Sequence, residues 1–357
     1  MNKVAILIPT KERKEFLLRT VRYYISVKSK HPIFIGDASS NSLEEYILDL
    51  AKNKIEIYYF HWKELNDREA IVELAIEANK RKISYCAYHG DDDYFFPNSL
   101  VKCANFLEEN SSYATAQGRS FSFQLDQSGP YGKIKDIGIY WNQKELKGES
   151  STERIIEISN NYWVPIFSVN RISNYIEDIG NGIDEVIDRN FGEYINSTSI
   201  ALRGKSKFID CLYLARNLHS GLNHGTKFEW VTGENWHVSY IESIKALSQK
   251  LADYDNIELE QSKEIITQAM RKMISLECKK KPELAVFIRN MLIFWSNNSK
   301  FGHSLRIFFK KISKISIFPC SKFTKGCLIN KKSKYFEYYL SVQNSCKKKR
   351  FFFFVFV

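Results

Sequence analysis

Three consecutive aspartates, Asp91, Asp92 and Asp93, are the residues of this 357-residue chain whose types and spacing point most directly to chemistry. Adjacent carboxylates repel one another, so a loop that concentrates them usually has a cation to neutralise them. Carboxylate oxygens suit Mg²⁺ or Mn²⁺, and Mg²⁺ is typically held by one or two carboxylates together with substrate phosphates. The triplet therefore predicts a divalent-cation site that also takes a phosphorylated ligand. The alternative is a structural turn that opens a helix at Pro97.

The aspartates come directly after a strand-like segment, which is the last of four in a regular pattern. Short apolar runs at 4–8, 33–35, 55–60 and 83–88 alternate with segments of helical spacing at 16–25, 43–50 and 67–82. Such alternation predicts a parallel sheet with helices on both faces. We therefore expect an α/β fold with a doubly wound, mostly parallel sheet, in which Thr10 caps the first helix.

Polar residues follow three of the predicted strands. The first strand ends at Pro9 and Thr10, the second at Asp37, and the fourth at the three aspartates. Ligands of open α/β sheets bind beyond the carboxyl ends of the strands. The sequence thus predicts one binding site along a single edge of the sheet.

These strand ends resemble those of family-2-like, GT-A-type glycosyltransferases. The segment from Ala5 to Arg13 is similar to their opening strand, followed by Pro-Thr, a polar residue and Arg. Asp37 and the Ser-rich turn after it resemble their nucleotide-binding acid, and the aspartate triplet resembles their Asp-x-Asp metal signature. Order and spacing match over roughly residues 1–110. The chain departs from the pattern at Gly36, where the commoner form has two adjacent acids and a glycine.

The resemblance implies that the chain binds a nucleoside diphosphate sugar and a divalent cation, Mn²⁺ or Mg²⁺. The implied contacts to the nucleotide sugar are Pro9, Thr10, Glu12, Arg13, Asp37, Asp91, Asp92 and Arg216, and the implied metal ligands are Asp91, Asp93 and His219. The cation would bridge the two phosphates and neutralise the diphosphate as it leaves. Enzymes of this kind invert the anomeric centre and need one general base for the acceptor hydroxyl.

Arg216 and His219 come from a later segment, 207–218 and the residue after it, whose spacing predicts a helix. Residues three apart on a helix share a face, so both side chains would meet the same ligand. Arg216 would clamp a phosphate with two hydrogen bonds, and His219 would complete the metal shell. A purely structural role for His219 is the alternative.

The general base is expected in the segment from Asp188 to Tyr194, which holds two acids and a glycine turn after a predicted helix. Glu193 resembles the acid that family-2-like enzymes place near the acceptor, and we prefer it to Asp188. The alternative for Glu193 is an ordinary surface glutamate.

The later chain becomes helical and then basic. Residues 113–123 are strand-like, and segments at 151–159, 183–187, 257–276 and 282–295 have helical character. We expect a GT-A-like nucleotide-sugar domain over 1–240, a helical extension over 241–299 and a basic amphipathic tail over 300–357. The tail holds fourteen of the 52 Lys and Arg residues but one of the 41 acidic residues, so its net charge is 14 − 1 = +13, whereas the rest of the chain carries 38 − 40 = −2.

A basic tail predicts an anionic partner. One helical face of the tail would carry Leu305, Phe308, Phe309, Ile312 and Ile315, and another would carry Arg306, Lys310 and Lys314. This pattern is typical of a helix that lies in a membrane interface. The alternative is a terminal helix packed on the catalytic domain with a basic outer face.

The expected location of the protein depends on sequence features that the chain lacks. It shows no run of 18 apolar residues, its amino-terminal apolar stretch is too short for a signal peptide, and its seven cysteines are odd in number with no short-spaced pair. We expect a cytoplasmic enzyme, peripheral on the inner membrane face, that acts on a glycan or lipid-linked acceptor in surface polysaccharide assembly and binds no nucleic acid.

Two other functions remain open from the sequence. A sugar nucleotidyltransferase shares the fold and the metal but normally has a glycine-rich loop, and residues 8–20 contain no glycine. A non-catalytic membrane or nucleic-acid binding protein is supported by the tail alone.

Overall fold

The computed structural model describes residues 2–140, 143–180, 186, 188–219, 230–278 and 325–347. The first part of the chain forms β1 (Val4–Thr10), α1 (Lys14–Ser26), β2 (Ile33–Asp37), α2 (Glu44–Ala51), β3 (Ile57–His61), α3 (Asp67–Lys80), β4 (Tyr85–Tyr88), β5 (Tyr94–Phe95), α4 (Pro97–Glu109), β6 (Tyr113–Leu125) and β7 (Ile134–Ile139). The remainder forms α5 (Ser151–Asn160), β8 (Val169–Arg171), α6 (Ile172–Gly180), α7 (Arg189–Arg203), β9 (Lys205–Asn217), α8 (Trp236–Asp255), α9 (Leu259–Cys278), α10 (Lys325–Ile329) and α11 (Phe336–Ser345).

The described strands form one mixed sheet in the order β3-β2-β1-β4-β8-β6-β9-β5, with β7 paired to β6. The pairs β1–β2, β2–β3, β1–β4 and β6–β9 are parallel, whereas β8, β5 and β7 run antiparallel to their neighbours. The predicted α/β class with a mostly parallel sheet is confirmed. The chain leaves β1 for β2 on one side and returns to β4 on the other, so β1 lies where the strand order reverses.

Strand β1 forms the centre of this arrangement because its sequence is apolar throughout. Residues Val4 to Ile8 are completely buried, as a parallel strand covered by helices on both faces requires. In register, Thr10 lies beside Asp37 of β2, and Leu7 lies beside Tyr88 at the end of β4. The polar ends of three neighbouring strands therefore meet at one edge of the sheet, as predicted.

Helix α1 begins later than the sequence pattern suggested. Thr10 was predicted to cap it, but Thr10 is the last residue of β1, and Arg13 takes the N-cap position without a side-chain cap bond. The three residues between strand and helix form a loop over the sheet edge, where Glu12 adopts a positive φ of 53°. This loop frees the Thr10 hydroxyl and the Arg13 guanidinium to face the aspartates.

The helix predicted over 207–218 was wrong, because these residues form the long strand β9. Residues Cys211 to Ala215 are all buried, between β6 on one side and β5 on the other. A continuous apolar run of this length fits a buried strand as well as a helix, and the neighbouring strands decide between the two. Arg216 therefore ends a strand, and His219 follows it.

The C-terminal helices pack on this core. Helices α8 and α9 contact each other and also α5, and α8 crosses the predicted boundary at residue 240. Helices α10 and α11 contact β7 and α1 respectively. Within the described ranges, none of the helices has the length and apolar character that crossing a bilayer requires. The predicted helix at 282–295, the stripe at 305–315 and most of 183–187 lie outside the described residues.

Candidate active site

The aspartate triplet forms a buried loop between β4 and β5. Asp91 and Asp92 are each 3% exposed and Asp93 is completely buried. Carboxylates are almost never buried this deeply unless they are paired. Each of the three has a cationic partner from another part of the chain, and these partners define the site.

Arg13 pairs with the first two aspartates. Its Nη1 lies 2.7 Å from Asp91 Oδ1, and its Nη2 lies 2.7 Å from Asp92 Oδ2. The Thr10 hydroxyl donates to Asp91 Oδ2 at 2.7 Å. The loop after β1 thus covers the acidic loop after β4, and the Arg13 charge neutralises its outer side. Pro9, next to Thr10, pairs in register with Gly36 of β2.

Asp93 has a different environment from its two neighbours. Its Oδ2 lies 3.0 Å from Arg216 Nε, and its Oδ1 accepts the backbone N–H of Asn217 at 3.1 Å. Arg216 also donates through Nη1 to the Tyr140 hydroxyl at 2.7 Å, and its guanidinium lies against the Phe167 ring. One N–H of Nη1 and both N–H groups of Nη2 are left for a ligand, so the two-bond phosphate clamp stays a prediction for Arg216.

His219 lies beside the middle aspartate. Its Nε2 is 2.7 Å from Asp92 Oδ2 and 3.0 Å from Arg13 Nη2, and its ring stacks on Phe16 at 5.1 Å. The pairing of His219 with the acidic loop was predicted from the sequence. The shared helical face that led to this prediction does not exist, because the turn after β9 brings His219 to the loop.

Burial and pairing give the three carboxyl groups different pKa values. Burial raises the pKa of Asp91 to about 7, and it does the same for Asp93. Burial also acts to raise the pKa of Asp92, but the hydrogen bond with His219 and the charge of Arg13 outweigh burial and hold this pKa well below the usual range. The negative charge of the loop is therefore most firmly held on Asp92, the residue that His219 and Arg13 face.

Helix α1 supports the acidic loop from beneath through residues that sequence reasoning missed. Arg19 is completely buried and donates to the backbone oxygens of Asp92 and Pro130, both at 2.7 Å. The Thr20 hydroxyl donates to the Asp91 backbone oxygen at 2.7 Å. The available signal was an arginine on the buried face of an otherwise apolar helix, where a charge needs a specific partner.

A second group of polar contacts joins the ends of β1 and β2. Asp37 is completely buried, accepts the Ser39 backbone N–H at 2.8 Å, and accepts a hydrogen bond from the Tyr59 hydroxyl. Glu12 accepts from both the N–H and the hydroxyl of Ser40 at 2.7 Å, and these bonds lower its pKa. The Ser-rich turn after Asp37 is thus hydrogen-bonded to the loop that carries Arg13. We call the polar group formed by Glu12, Asp37, Ser39 and Ser40, beside the acidic loop, the shelf.

The two candidate bases have different surroundings. Asp188 is the N-cap of α7: it accepts the backbone N–H of Asn190 and of Phe191, and the Trp230 indole donates to both its oxygens at 3.1 Å. Its carboxylate is therefore engaged in structure, which argues against a catalytic role. The predicted glycine turn is also absent, because Gly192 lies within α7.

Glu193 lies in α7 and is partly exposed. The Tyr162 hydroxyl donates to its Oε1 at 3.0 Å. Burial raises the pKa of Tyr140, and the Glu193 charge adds to this effect. Since Tyr140 is bonded to Arg216, Glu193 lies within electrostatic reach of the Asp93–Arg216 pair.

Among the residues that the structure describes, no group of three His, Cys, Asp or Glu side chains has the arrangement of a complete metal site. The donor set nevertheless fits a cation that takes its other ligands from a substrate. Asp92 and His219 offer one oxygen and one nitrogen 2.7 Å apart, and the buried Asp91 Oδ1 lies beside the Arg13 guanidinium. Both oxygens of Asp93 are engaged, by Arg216 and by the Asn217 N–H, and its role as a metal ligand stays a prediction.

Comparison with known proteins relates this chain to glycosyltransferases. Residues 5–159 match the family described as glycosyl transferase family 2. An uncharacterized glycosyltransferase of Rickettsia bellii (strain RML369-C) is 29% identical over 143 residues, which is 39% of this chain and 19% of that protein. The chain thus spans about a fifth of the length of that relative.

Solved structures of S. aureus TarS share the fold. The structure of TarS aligns with a TM-score of 0.52 at 11% identity, covering 76% of this chain and 44% of that one. TarS 1–349 in complex with UDP-GlcNAc aligns with a TM-score of 0.51 at 11% identity, covering 76% and 73%. Residues 5–159 are thus similar in sequence to glycosyl transferase family 2, and the chain shares the α/β fold of TarS.

Proposed function

We propose that this chain transfers a sugar from a nucleoside diphosphate donor to an acceptor hydroxyl. The observation that carries the proposal is the meeting of Arg13, the three aspartates, Arg216 and His219 at one sheet edge, next to the shelf around Asp37. A buried acidic loop covered by arginines suits a ligand that brings phosphates and a cation together. A sheet edge of this kind is also where α/β folds bind nucleotides.

We propose a UDP-linked sugar as the first donor to test. TarS 1–349 has been solved with UDP-GlcNAc, and the chain aligns with that structure over 76% of its length. The shelf formed by Asp37, Ser39 and Glu12 is proposed to hold the nucleoside, because it lies beside the loop that holds the diphosphate. Arg13 and Arg216 Nη2 are proposed to contact the phosphate oxygens.

Asp92 and His219 are proposed to hold Mn²⁺ or Mg²⁺, with Asp91 as the neighbouring carboxylate. One or two protein ligands together with phosphate oxygens are the usual shell for Mg²⁺. When bound, the cation supplies charge neutralisation at the departing diphosphate. Arg13 pairs with both Asp91 and Asp92, and from this position its guanidinium is proposed to contact the phosphates as well.

Glu193 is proposed as the general base that takes the proton from the acceptor hydroxyl. The Tyr162 hydroxyl holds one of its oxygens in place, and it lies on the Tyr140 side of the acidic loop. Attack from this side, opposite the departing diphosphate, gives inversion at the anomeric carbon. A single base is sufficient for that outcome.

A hydroxyl on a glycan or a lipid-linked glycan is proposed as the acceptor, at the inner face of a membrane, in surface polysaccharide assembly. The support is the basic C-terminal region, which suits an anionic surface, together with the family-2 match.

The test is a panel of nucleotide sugars, each with and without Mn²⁺, scored by thermal shift and then by transfer to sugar acceptors. A ligand that binds the folded state stabilises it by about 2.7 kcal/mol at a hundredfold excess over Kd. We expect a UDP-sugar with Mn²⁺ to raise the melting temperature more than either component alone. If no nucleotide sugar raises it, the proposed function is wrong.

A further inference from the structure

The described part of the C-terminal region carries a concentration of unpaired positive charge. Residues 325–347 contain five exposed lysines and one acid, Glu337. Lys331, Lys332 and Lys334 lie within four residues of one another, and Lys347 follows α11. Among the described residues, none of these four lysines lies within ion-pair distance of a carboxylate, although the Lys334 charge helps to lower the pKa of Asp210. Lys325, in contrast, pairs with Asp136 of β7.

This region is held firmly on the catalytic domain. Cys327, Leu328 and Val342 are buried against it. The backbone oxygen of Cys346 accepts the N–H of Gly132 at 3.0 Å, and the Ser345 hydroxyl lies 2.9 Å from that of Tyr94, next to the acidic loop. The lysines of this region are therefore presented on a fixed surface.

Strand β7 and the turn before it extend the same surface. The Lys325–Asp136 pair joins α10 to β7, and Lys133 and Lys135 are exposed on either side of Ile134. The contact between Gly132 and Cys346 brings Lys133 close to Lys347. We name this surface the basic face and define it by six lysines: Lys133, Lys135, Lys331, Lys332, Lys334 and Lys347.

Two large apolar side chains are exposed beside these lysines. Ile139 at the end of β7 is 49% exposed, and Ile329 at the end of α10 is 37% exposed. Exposed aliphatic residues among lysines suit a lipid interface, where the lysines meet anionic headgroups and the apolar groups enter the acyl boundary. A nucleic acid would gain nothing from the isoleucines. The sequence on both sides, at 300–324 and 348–357, adds more lysine and phenylalanine.

We infer that the basic face docks this protein on the surface of an anionic bilayer. The inference deepens the membrane location in the proposed function, and it names the surface responsible. A chain of hydrogen bonds relates this surface to the active site. Gly132 binds Cys346, Pro130 accepts from Arg19, and Arg19 donates to Asp92. Docking through the basic face thus places the bilayer against the turn at Pro130–Gly132, which Arg19 connects to the acidic loop.

The experiment is sedimentation of the full chain with vesicles of phosphatidylglycerol and phosphatidylcholine, against pure phosphatidylcholine, over a range of salt. Two variants test the face from its two sides: Lys331→Glu/Lys332→Glu/Lys334→Glu, and Lys133→Glu/Lys135→Glu. The matched control is Lys30→Glu/Lys52→Glu/Lys82→Glu, which reverses three exposed lysines at the amino ends of β2, β3 and β4. Circular dichroism and melting temperature verify folding, and Lys→Gln versions replace any variant that does not fold.

Each lysine near an anionic surface strengthens attachment about fivefold. We expect both face variants to need at least tenfold more anionic lipid for half-maximal binding, whereas the control binds like the wild type. Binding should also weaken as salt rises and on neutral vesicles. The inference would be overturned if both face variants bound vesicles like the wild type, or if the control lost binding equally. It would also be overturned if the protein bound RNA more tightly than vesicles. Donor-induced thermal shifts, measured without lipid, report on the proposed function separately.

Discussion

Arg216 Nε lies 3.0 Å from the completely buried Oδ2 of Asp93, and this ion pair separates Asp93 from the other two aspartates of the loop. Asp93 was predicted as a metal ligand on the strength of an Asp-x-Asp pattern. Its bonds to Arg216 and to the Asn217 N–H give it the task of anchoring β9 to the acidic loop. We therefore propose Asp92, which faces His219 and Arg13, as the carboxylate that meets the ligand.

The first prediction separates these two roles. Asp93→Asn leaves Arg216 buried without its counter-charge, so we expect the free energy of unfolding to fall by roughly 3–5 kcal/mol. Asp92→Asn should lower stability less and should abolish the extra thermal shift that Mn²⁺ gives with a UDP-sugar. Urea denaturation and thermal shift measure the two effects. An unchanged Mn²⁺ response in Asp92→Asn would show that Asp92 is not a ligand.

The second prediction concerns the base. Glu193→Gln should reduce the transfer rate by about 10²–10⁴-fold and leave donor binding intact, because the base acts on the acceptor hydroxyl. Asp188→Ala is the comparison: it should cost about 1 kcal/mol of stability through the lost helix cap, with a rate change below about tenfold. Steady-state kinetics and donor titration distinguish them. Loss of donor affinity in Glu193→Gln would move Glu193 from the acceptor side to the donor side.

The third prediction concerns Arg19. Arg19→Met removes the donors to the Asp92 and Pro130 backbone oxygens, and an unsatisfied buried acceptor costs roughly 1–3 kcal/mol. We expect stability to fall by about 3 kcal/mol and UDP-sugar affinity to fall with it, since the acidic loop loses its support. Arg22→Met on the same helix, whose partners include the Tyr131 hydroxyl, is the control and should cost less than about 1 kcal/mol. Equal losses in both variants would contradict this role.

The fourth prediction is a pH dependence of stability. His31 is buried, its Nδ1 lies 3.0 Å from the Val4 backbone N–H, and burial lowers its pKa to about 4. Because the folded state binds the proton less readily than the unfolded state, stability should fall as the pH drops from about 6.5 towards 4. Each unit of pKa difference between the unfolded and folded states corresponds to 1.36 kcal/mol, so the drop from 6.5 to about 4 predicts a loss of about 3 kcal/mol in the free energy of unfolding. The difference in unfolding free energy between wild type and His31→Asn should therefore shrink as pH falls, and a constant difference would contradict it.

The fifth prediction concerns the C-terminal region. Deletion of residues 325–357 would expose the surfaces that Leu328, Val342 and Cys346 cover, including Phe96 and Tyr94 beside the acidic loop. We expect a lower melting temperature and weaker donor binding. Deletion of 348–357 alone should leave both unchanged. If the longer deletion binds donor like the full chain, α10 and α11 are not needed to support the site.

Much of the site was accessible from sequence because it depends on short-range patterns. The apolar run 4–8, the acids at strand ends and the alternation with helices predicted which residues share the sheet edge, and Asp37 and the aspartates lie there. The periodicity of strands and helices is a local property, and parallel strands necessarily bring their carboxyl ends to one edge. The family resemblance rested on the same residues.

Only the tertiary structure decided which partner each polar group takes. The resemblance implied Asp93 as a metal ligand and Asp92 as a nucleotide-sugar contact, without the partners that each takes, and the spacing favoured a helix where β9 carries Arg216. It also did not indicate that Arg19 lies under the acidic loop or that α11 contacts Tyr94. These pairings join residues 73 to 251 positions apart in the chain. A buried charge is stable only beside its partner, so packing between distant elements, which no local pattern encodes, assigns each aspartate its role.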